Sequence, residues 1–272
     1  MKTVNKNILI TGGKGFIGGH LVTLFPFAEI YDLKNNQNIL DYRKLLKSVK
    51  GKGIVIHLAA LTSVEDSRKK PGEYYCNNIV GTYNVIKAGV EMGCQTIIFA
   101  SSAAVYTPDN PYGLSKKIGE DLMFEYRHKI QAISLRLFNI YGDGQNPEYA
   151  GVIDKYFQAA KEKKPLKITG DGKQNRDFIA VSDITQIMKR ITEEGSKIKS
   201  GSVFEVGTGR STTINELANI FAKRYKLPMK HLQDQPIGIF NSRAKNKSLL
   251  KIIGDYKFKS LKNGLKELEE NF

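Results

Sequence analysis

The sequence predicts an α/β protein with a doubly wound parallel sheet and a smaller α/β region interleaved with it towards the C-terminal end. Two observations carry this prediction. Short, continuously apolar runs alternate with helical stretches up to about residue 140, and such runs are typical of parallel strands buried on both faces. The alternation then weakens, which indicates a second region with a different layout.

Five strands and three helices are predicted in the first part. The strands are 7–11, 28–32, 53–60, 96–102 and 132–139. The helices run from the glycine-rich stretch to Phe25, over 77–93 and over 112–127. The helix over 77–93 carries one apolar stripe at helical spacing, formed by Ile79, Tyr83, Ile86 and Val90, and Gly93 can end it.

The second part mixes helices with short strands. Helices are predicted over 152–162 and 183–191, and a strand over 202–207. P-L-K-I-T-G-D-G-K at 165–173 resembles a hairpin with D-G as its turn. A further helix opens at 211–218, where Thr213 and Glu216 have the spacing of a capping box.

The composition is that of an ordinary globular chain with a basic surface. Of the 272 residues, 41% are hydrophobic, and the net charge is +15 with a pI of about 9.6. Such a charge attracts nucleic acid, membrane surfaces or phosphorylated small molecules. However, the lysines are spread along the chain and cluster only at 161–164 and 257–259. We therefore expect a solvated basic surface and no nucleic-acid partner.

No membrane span, signal peptide or metal site is expected. No apolar run approaches the roughly 18 residues that a membrane-spanning helix needs, and the first residues lack a signal-peptide core. A cytoplasmic protein is the expectation. Cys76 and Cys94 form no C-x-x-C pair, and the four histidines are scattered.

The glycine-rich stretch indicates a dinucleotide site on a Rossmann-type sheet. Gly12, Gly15 and Gly18 lie between a strand and a helix, where glycines let the backbone approach a pyrophosphate. Asp32 ends the second strand, and a carboxylate there binds ribose hydroxyls and repels a 2′-phosphate. NAD is therefore predicted over NADP. Lys14 and Lys34 argue the other way, since either could bind a 2′-phosphate.

Tyr112 and Lys116 lie four residues apart, just after the run I-I-F-A-S-S at 97–102. Positions i and i+4 of a helix share one face. An ammonium beside a phenol favours the phenolate, so the pair predicts a lowered Tyr112 pKa and a proton-transfer device. Taken alone, the spacing is also compatible with an ordinary helix surface.

Seven motifs together resemble the extended short-chain dehydrogenase/reductases, specifically the nucleotide-sugar epimerase/dehydratase group that includes UDP-glucose 4-epimerase. The resemblance covers about residues 7–260. Besides the glycine loop and Y-G-L-S-K (112–116), it rests on H-L-A-A (57–60), N-N-I-V-G-T (77–82), S-S-A-A-V-Y (101–106), L-R-L-F-N-I-Y-G (135–142) and G-D-G-K-Q-N-R-D-F-I-A-V-S-D (170–183).

The resemblance implies a role for each matching residue. The catalytic set is Ser102, which bonds the substrate hydroxyl, Tyr112 as general base, and Lys116, which holds the nicotinamide ribose. The cofactor-binding set adds Gly12, Gly15, Phe16, Ile17, Gly18, Asp32, Asn38, Ile39, Leu58, Ala59, Ala60, Asn78, Ser101 and Phe138. The substrate-binding set is Ser102, Asn139, Arg176 and Arg243.

The same resemblance implies a domain layout and an assembly. Residues 1–140, with 177–207 returning to them, would form the NAD-binding domain. Residues 141–176 and 208–272 would bind a nucleotide-diphosphate sugar, with the cleft between the two parts as the site. The helices at 77–92 and 112–127 would pair two copies as a homodimer.

The favoured reaction is 4-epimerisation through a transient 4-keto sugar. The 4,6-dehydratases of this group carry an Asp-Glu pair where this chain has Ala103 and Ala104. A reductase or dehydrogenase of a 4-keto nucleotide sugar stays open, as does a non-catalytic cofactor-sensing or nucleic-acid-binding protein on the same fold. The chain lacks the group's R-P-G-D; Q-P-I-G (235–238) takes its place, so Arg243 is the candidate for the missing phosphate contact.

Overall fold

The computed structural model describes residues 7–107, 109–145, 151–233 and 240–270. The chain divides into two compact units. Unit 1 comprises residues 1–137, 184–206 and 247–256, and unit 2 comprises 138–183, 207–246 and 257–272. The sequence placed 247–256 with the second region, but Arg190 of unit 1 donates to the Ile253 carbonyl at 2.9 Å and to the Asp255 carbonyl at 3.1 Å, which holds this segment in unit 1.

Unit 1 is built on a six-stranded, wholly parallel sheet, so the predicted Rossmann-type α/β fold is confirmed. The strands are β1 (Ile8–Thr11), β2 (Glu29–Tyr31), β3 (Ile54–His57), β4 (Thr96–Ser102), β5 (Gln131–Leu137) and β10 (Ser202–Val206), in the order β10-β5-β4-β3-β1-β2. The strand order reverses between β1 and β3. In open α/β sheets, ligands bind beyond the carboxyl ends of the strands at such a point.

Helices flank this sheet and supply much of its core. They are α1 (Phe16–Leu24), α2 (Tyr42–Val49), α3 (Val64–Lys69), α4 (Pro71–Tyr74), α5 (Gly81–Glu91), α6 (Pro111–Glu125), α8 (Val181–Glu194, from residue 184 onwards) and α10 (Lys247–Ile253). One core cluster joins strand residues such as Leu9, Val55 and Ile97 to Val85 and Ile86 of α5, all fully buried. The apolar strands thus face helices, as continuous apolar runs require.

A π-helical stretch, Tyr75–Val80, joins α4 to α5. The predicted apolar stripe crosses this stretch, and it is wrong at Tyr83, whose side chain is exposed, whereas Val85 and Ile86 are fully buried. A π-helical turn contains more residues than an α-helical turn. It therefore offsets Ile79 from the positions of α5, whereas Tyr83 lies within α5 at the edge of the face that buries Val85 and Ile86. Gly93, with φ of +71°, follows the helix end as predicted.

Unit 2 contains short two-stranded sheets and helices around its own core. Its strands are β6 (Asn139–Tyr141), β7 (Leu166–Thr169), β8 (Asn175–Arg176), β9 (Phe178–Ala180), β11 (Thr212–Thr213) and β12 (Met229–Leu232). Its helices are α7 (Val152–Lys161), α9 (Ile214–Tyr225) and α11 (Leu261–Glu270). Tyr156, Phe157 and Phe221 stack edge to face at the centre, with ring centroids 4.9–5.5 Å apart.

The predicted hairpin over 165–173 is wrong. A turn does occur there, with Gly170 and Gly172 both at positive φ. However, β7 pairs in parallel with β12, and β8 pairs antiparallel with β11. The D-G turn forms locally, but each strand pairs with a segment far along the chain. A D-G pair between two short strands therefore did not suffice to predict that these strands pair with each other. The predicted capping box is confirmed, since Thr213 caps α9 and exchanges hydrogen bonds with Glu216.

In the part of the chain that the structure describes, no helix has the length and apolar character to cross a membrane.

Two neighbouring glycines of α1 provide a matched test of how the first helix packs on the glycine loop. A Cβ at Gly18 would lie 2.3 Å from the Gly12 carbonyl oxygen, whereas a Cβ at Gly19 would meet no atom within 4 Å. Gly18→Ala should lower the free energy of unfolding by about 1–3 kcal/mol. Gly19→Ala should be neutral or raise it by up to about 1 kcal/mol, because alanine favours helix. Urea unfolding of both variants checks this, and equal effects would contradict the packing.

Candidate active site

The glycine loop follows β1 and packs against the segment after β3. Gly12 has φ of +73°, and a Cβ on it would lie 2.7 Å from the Ala59 nitrogen. The strand predicted over 53–60 is shorter in the structure and ends at His57. The next residue, Leu58, donates its N–H to the Thr11 carbonyl at 3.0 Å. The two loops are therefore in direct contact.

The N-terminus of α1 is open to a ligand. Gly15 is the N-cap and is exposed, and a Cβ there would approach only the Gly12 carbonyl oxygen, at 3.2 Å. Phe16 and Ile17, in the first turn, are half-buried. The backbone N–H groups of the first helical turn and the lack of a side chain at Gly15 suit a pyrophosphate.

Asp32 lies beside this loop with its carboxylate fixed in place. Oδ2 accepts from the Lys14 N–H and Oδ1 from the Lys34 N–H, each at 2.9 Å. The side chain is only 8% exposed. Each carboxylate oxygen still has a free lone pair, so the group can accept hydrogen bonds from ribose hydroxyls.

Asn38 and Ile39 have local structural partners. Asn38 Oδ1 accepts from the Leu40 N–H at 2.9 Å, so its side-chain oxygen is used by the local turn. The Ile39 side chain is buried against α5, where a Cβ on Gly81 would lie 2.4 Å from Ile39 Cδ1. Their cofactor-binding roles remain predictions.

Asn78 connects the loop after β3 to the helix that carries Tyr112. Its Oδ1 accepts from the Leu61 N–H at 2.9 Å, and its Nδ2 donates to the Leu61 carbonyl at 2.9 Å and to Ser115 Oγ at 3.0 Å. Asn78 is 2% exposed. Its amide is thus engaged with protein on both sides, and it holds the two segments in register.

His57, at the end of β3, is buried between two threonines, a contact that the H-L-A-A motif did not predict. Nδ1 lies 2.7 Å from Thr11 Oγ1, and Nε2 lies 3.0 Å from Thr82 Oγ1. Burial, with a contribution from the Lys116 charge, lowers the His57 pKa from 6.5 to about 3. The imidazole is therefore uncharged at neutral pH and joins β1 to α5.

Ser102 and Tyr112 are brought together at the end of β4 and the start of α6. Asn110 caps this helix by accepting from the Gly113 N–H at 2.8 Å. Burial raises the Tyr112 pKa above 10, while a side-chain hydrogen bond from Ser102 lowers it. The predicted lowering of the Tyr112 pKa is thus wrong for the chain's own groups, because loss of solvation of the phenolate outweighs the hydrogen bond.

Lys116 shares α6 with Tyr112 and is 4% exposed. Its Nζ donates to the Ala100 carbonyl at 2.8 Å and lies 4.8 Å from the centroid of the Phe99 ring. Burial lowers the Lys116 pKa from 10.5 to about 7. Lys116 therefore loses its charge more readily than an ordinary lysine, which limits what it alone can do for a phenolate.

A buried ion pair supports the strand end that carries Ser101 and Ser102. Arg136 donates to both Glu120 oxygens, at 2.8 and 2.7 Å, and Ser101 Oγ donates to Glu120 at 2.6 Å. Arg136 also donates to the Tyr106 hydroxyl at 2.8 Å. The predicted cofactor residue Ser101 thus has its hydroxyl engaged. Arg136 lies between two leucines of an apolar strand, and a buried charge needs a partner. This position could have predicted the ion pair from the sequence.

In unit 2, Asn139 and Arg176 line one pocket of about 690 Å³, together with Asp154, Lys167 and Gln174. Burial lowers the Arg176 pKa from its ordinary value. Three oxygens of lining residues, Tyr141 Oη, Asp154 Oδ2 and Gln174 Oε1, are buried and have no hydrogen-bond partner among the described residues. A pocket with a desolvated guanidinium and unpaired acceptors suits an anionic ligand that also carries N–H or O–H donors.

The remaining predicted residues lie elsewhere. Phe138 is buried. Arg243 is exposed, is not among the residues lining the pocket, and donates from Nε to the Gly209 carbonyl at 2.7 Å. Residues 235–238, the Q-P-I-G segment, lie outside the described residues.

Asp177, which sequence reasoning considered only as a salt-bridge partner of Arg176, organises the surrounding loops. Its fully buried carboxylate accepts from the N–H groups of Thr208 and Gly209 at 2.9 Å and of Ala244 at 3.0 Å, and from the Thr208 hydroxyl at 2.6 Å. Four donors compensate this charge. The segments before Arg210 and after Ser242 are held to the strand end next to Arg176.

A parallel sheet with a glycine loop and an acidic residue at its switch point defines a dinucleotide-binding protein of the Rossmann class. Residues 8–207 match the model of the NAD dependent epimerase/dehydratase family. The chain belongs to this family, whose members are NAD-dependent enzymes, and the predicted resemblance is confirmed.

The relatives include nucleotide-sugar epimerases and a decarboxylase. A putative UDP-glucose 4-epimerase of Methanocaldococcus jannaschii is 30% identical, over 84% of this chain and 86% of the relative. A UDP-N-acetyl-alpha-D-glucosaminuronate decarboxylase of Bacillus cytotoxicus is 30% identical over 79% of each chain. The structure of a UDP-N-acetylglucosamine 4-epimerase from Methanobrevibacter ruminantium M1, in complex with UDP-N-acetylmuramic acid, superposes with a TM-score of 0.84 at 29% identity, covering 98% of this chain and 99% of that one.

The neutral state of His57 predicts a loss of stability in acid. Between pH 6.5 and about 3, the unfolded chain binds a proton at residue 57 that the folded chain does not, so the free energy of unfolding falls as pH falls. The slope from this group is at most about 1.4 kcal/mol per pH unit. Urea unfolding at pH 7, 6 and 5 should show a shallower slope for His57→Gln than for the unchanged chain. His128→Gln, at an exposed position, is the control, and parallel slopes for all three proteins would refute the assignment.

Proposed function

We propose that this chain is an NAD-dependent nucleotide-sugar 4-epimerase in which Tyr112 is the general base. The observation that carries the proposal is the arrangement of Tyr112 and Lys116, which are buried and lie one turn apart on α6, with the Ser102 side chain close enough to Tyr112 to favour its phenolate. Ser102 ends β4, one of the central strands of the sheet, so these groups would lie beyond its carboxyl end.

The cofactor would be held by the glycine loop, the segment after β3 and Asp32. Gly12 and Gly18 allow the close backbone packing, Gly15 leaves the N-terminus of α1 accessible, and Asp32 would bind the ribose. NAD⁺, when bound, supplies a hydride acceptor and a positively charged ring. Leu58, Ala59 and Ala60 would line it through their backbone.

Tyr112 Oη would accept and return the proton in this reaction. Its pKa is raised by burial, so the phenol is neutral at pH 7 and needs positive charge nearby to become a base. Ser102 already lowers the pKa through its hydrogen bond, and the charged fraction of Lys116 acts in the same direction. Tyr112 would then accept the proton of the C4 hydroxyl and return it after the sugar has turned over.

Epimerisation is favoured over dehydration because the acid–base pair for removing water is missing. Ala103 and Ala104 follow Ser102 where dehydratases of the group carry Asp and Glu. Glu120, the buried acid of the same helix, has both oxygens bonded to Arg136. Because the relatives include 4-epimerases, 4,6-dehydratases and a decarboxylase, the choice rests on the missing acid–base pair.

The substrate would be a nucleotide-diphosphate sugar. Arg176 suits the diphosphate, because a guanidinium can bind two oxygens at once. Asn139 lines the same pocket, and its Nδ2 is fixed by the Asp177 carbonyl and Ser242 Oγ, each at 3.2 Å. Arg243, whose side chain is exposed, is the third proposed contact.

The purified chain should invert C4 of at least one sugar among UDP-glucose, UDP-galactose and their N-acetylated forms, as followed by NMR. Tyr112→Phe should lower kcat by about 10²–10⁴-fold, the range for loss of a general base. Tyr42→Phe is the matched control, because its hydroxyl bonds Glu91 at the surface.

Two outcomes would refute 4-epimerisation. Stoichiometric NADH formation or consumption without inversion would support the dehydrogenase or reductase alternative. Undiminished inversion in Tyr112→Phe would exclude Tyr112 as the base.

We also propose that two copies pair through an apolar helix face, which we define as Val80, Tyr83 and Phe124. Their side chains are 47%, 37% and 52% exposed. They lie on α5, the π-helical stretch and α6, which contact one another, and the Tyr83 ring stacks on Tyr126 at 6.4 Å. Large apolar groups grouped on neighbouring helices are typical of an interface between subunits.

Sedimentation of the purified chain should therefore give twice the 30.5 kDa mass of one copy. Phe124→Lys should shift the protein to a single copy, because a buried ammonium without a partner is strongly unfavourable at an interface. Phe27→Lys, at another exposed phenylalanine, should leave the mass unchanged. A 30.5 kDa particle for the unchanged chain would contradict the proposal.

A further inference from the structure

The acid that selects between the two nicotinamide dinucleotides has unusual neighbours in this chain. Asp32 accepts the N–H groups of Lys14 and Lys34 at 2.9 Å, one from the glycine loop and one from the turn after β2. The carboxylate is thereby fixed between two lysines, and part of its charge is offset by backbone donors. Its ability to repel a phosphate is correspondingly reduced.

The Lys34 side chain spans the gap between the same two segments. Its Nζ donates to the Lys14 carbonyl at 3.3 Å, so the ammonium lies over the edge of the glycine loop beside Asp32. Both lysine side chains are exposed. Among the described residues, neither ammonium has an ion-pair partner, whereas Glu29 on the adjacent strand is paired with Lys52 at 2.8 Å.

The local charge therefore favours an anion. The Lys34 ammonium and the Asp32 carboxylate lie at the position where an acid at the end of the second strand would meet the adenosine ribose, and the exposed Lys14 side chain starts from the same loop. In dinucleotide-binding folds, a basic side chain at this place accommodates a 2′-phosphate. Lysine binds phosphate as a point charge and does not need a fixed geometry.

We infer that the adenosine end of this site accepts a 2′-phosphate, so that the chain binds NADP(H) as well as NAD(H). Lys34 makes the main phosphate contact and Lys14 the second, while Asp32 continues to bind the ribose of NAD(H). The inference depends on dinucleotide binding at the family's cofactor site and not on the proposed 4-epimerisation.

Binding of NADH and NADPH to the full chain, measured by nicotinamide fluorescence, tests the inference without any turnover. The two dissociation constants should agree within about tenfold, that is, within about 1.4 kcal/mol. NADPH binding should weaken more steeply than NADH binding as salt is raised, because the phosphate contact is an exposed charge interaction.

Variants separate the phosphate contact from a general charge effect. Lys34→Ala should weaken NADPH binding about tenfold or more and NADH binding less than about threefold, and Lys34→Glu should abolish the NADPH signal. Lys47→Ala removes an equal charge from an exposed position on α2 and should change neither constant. Thermal unfolding of each variant verifies that the protein is folded.

Any other pattern overturns the inference. NADPH bound more than tenfold more weakly than NADH means that Asp32 excludes the phosphate. Equal weakening of both dinucleotides by Lys34→Ala means that Lys34 makes no contact specific to the phosphate. Failure to bind either dinucleotide would refute the cofactor site itself and the proposed function with it. Binding of both without 4-epimerisation would leave the inference intact and remove only the proposed reaction.

Discussion

The contact between the glycine loop and the segment after β3 is the constraint on which the site of unit 1 depends. The backbone of Gly12 lies so close to Ala59 that no side chain fits between them. Thr11 and His57, the residues just before these loops, are joined by a hydrogen bond of 2.7 Å. Because β1 and β3 are neighbours at the point where strand order reverses, this packing creates the crevice into which α1, Asp32 and the end of β4 all face.

Loss of solvation dominates the chemistry around that crevice. Tyr112, Lys116 and His57 are all nearly inaccessible to water, and burial shifts each pKa towards the neutral form. Burial thus disfavours the charged form of all three groups, although Lys116 keeps part of its charge at neutral pH. A positively charged ligand ring would act strongly on them, since electrostatic effects are larger where water is excluded. This arrangement and the family's dependence on NAD are physically consistent.

Much of this architecture could be predicted from local sequence, and the exceptions have identifiable causes. The apolar strands, the glycine loop and the Thr213–Glu216 capping box are short-range patterns, and the structure contains them. The pairing of β7 with β12 joins segments about 60 residues apart and leaves no local trace. Tyr83 has the spacing of a core residue but lies at the edge of the face of α5 that buries Val85 and Ile86, which spacing alone does not distinguish. The direction of the Tyr112 pKa depends on burial, which spacing alone does not report.

The buried carboxylate of Asp177 also has a consequence for the order in which the chain can fold. Its hydrogen bond to Ala244 closes a loop of 67 residues. At a synthesis rate of about 5–20 residues per second, Ala244 leaves the ribosome roughly 3–13 s after Asp177. Until then the carboxylate lacks one of its donors and must stay hydrated. Unit 2 therefore completes its assembly only after Ala244 has been synthesised, when the strands from β1 to β5 are already available.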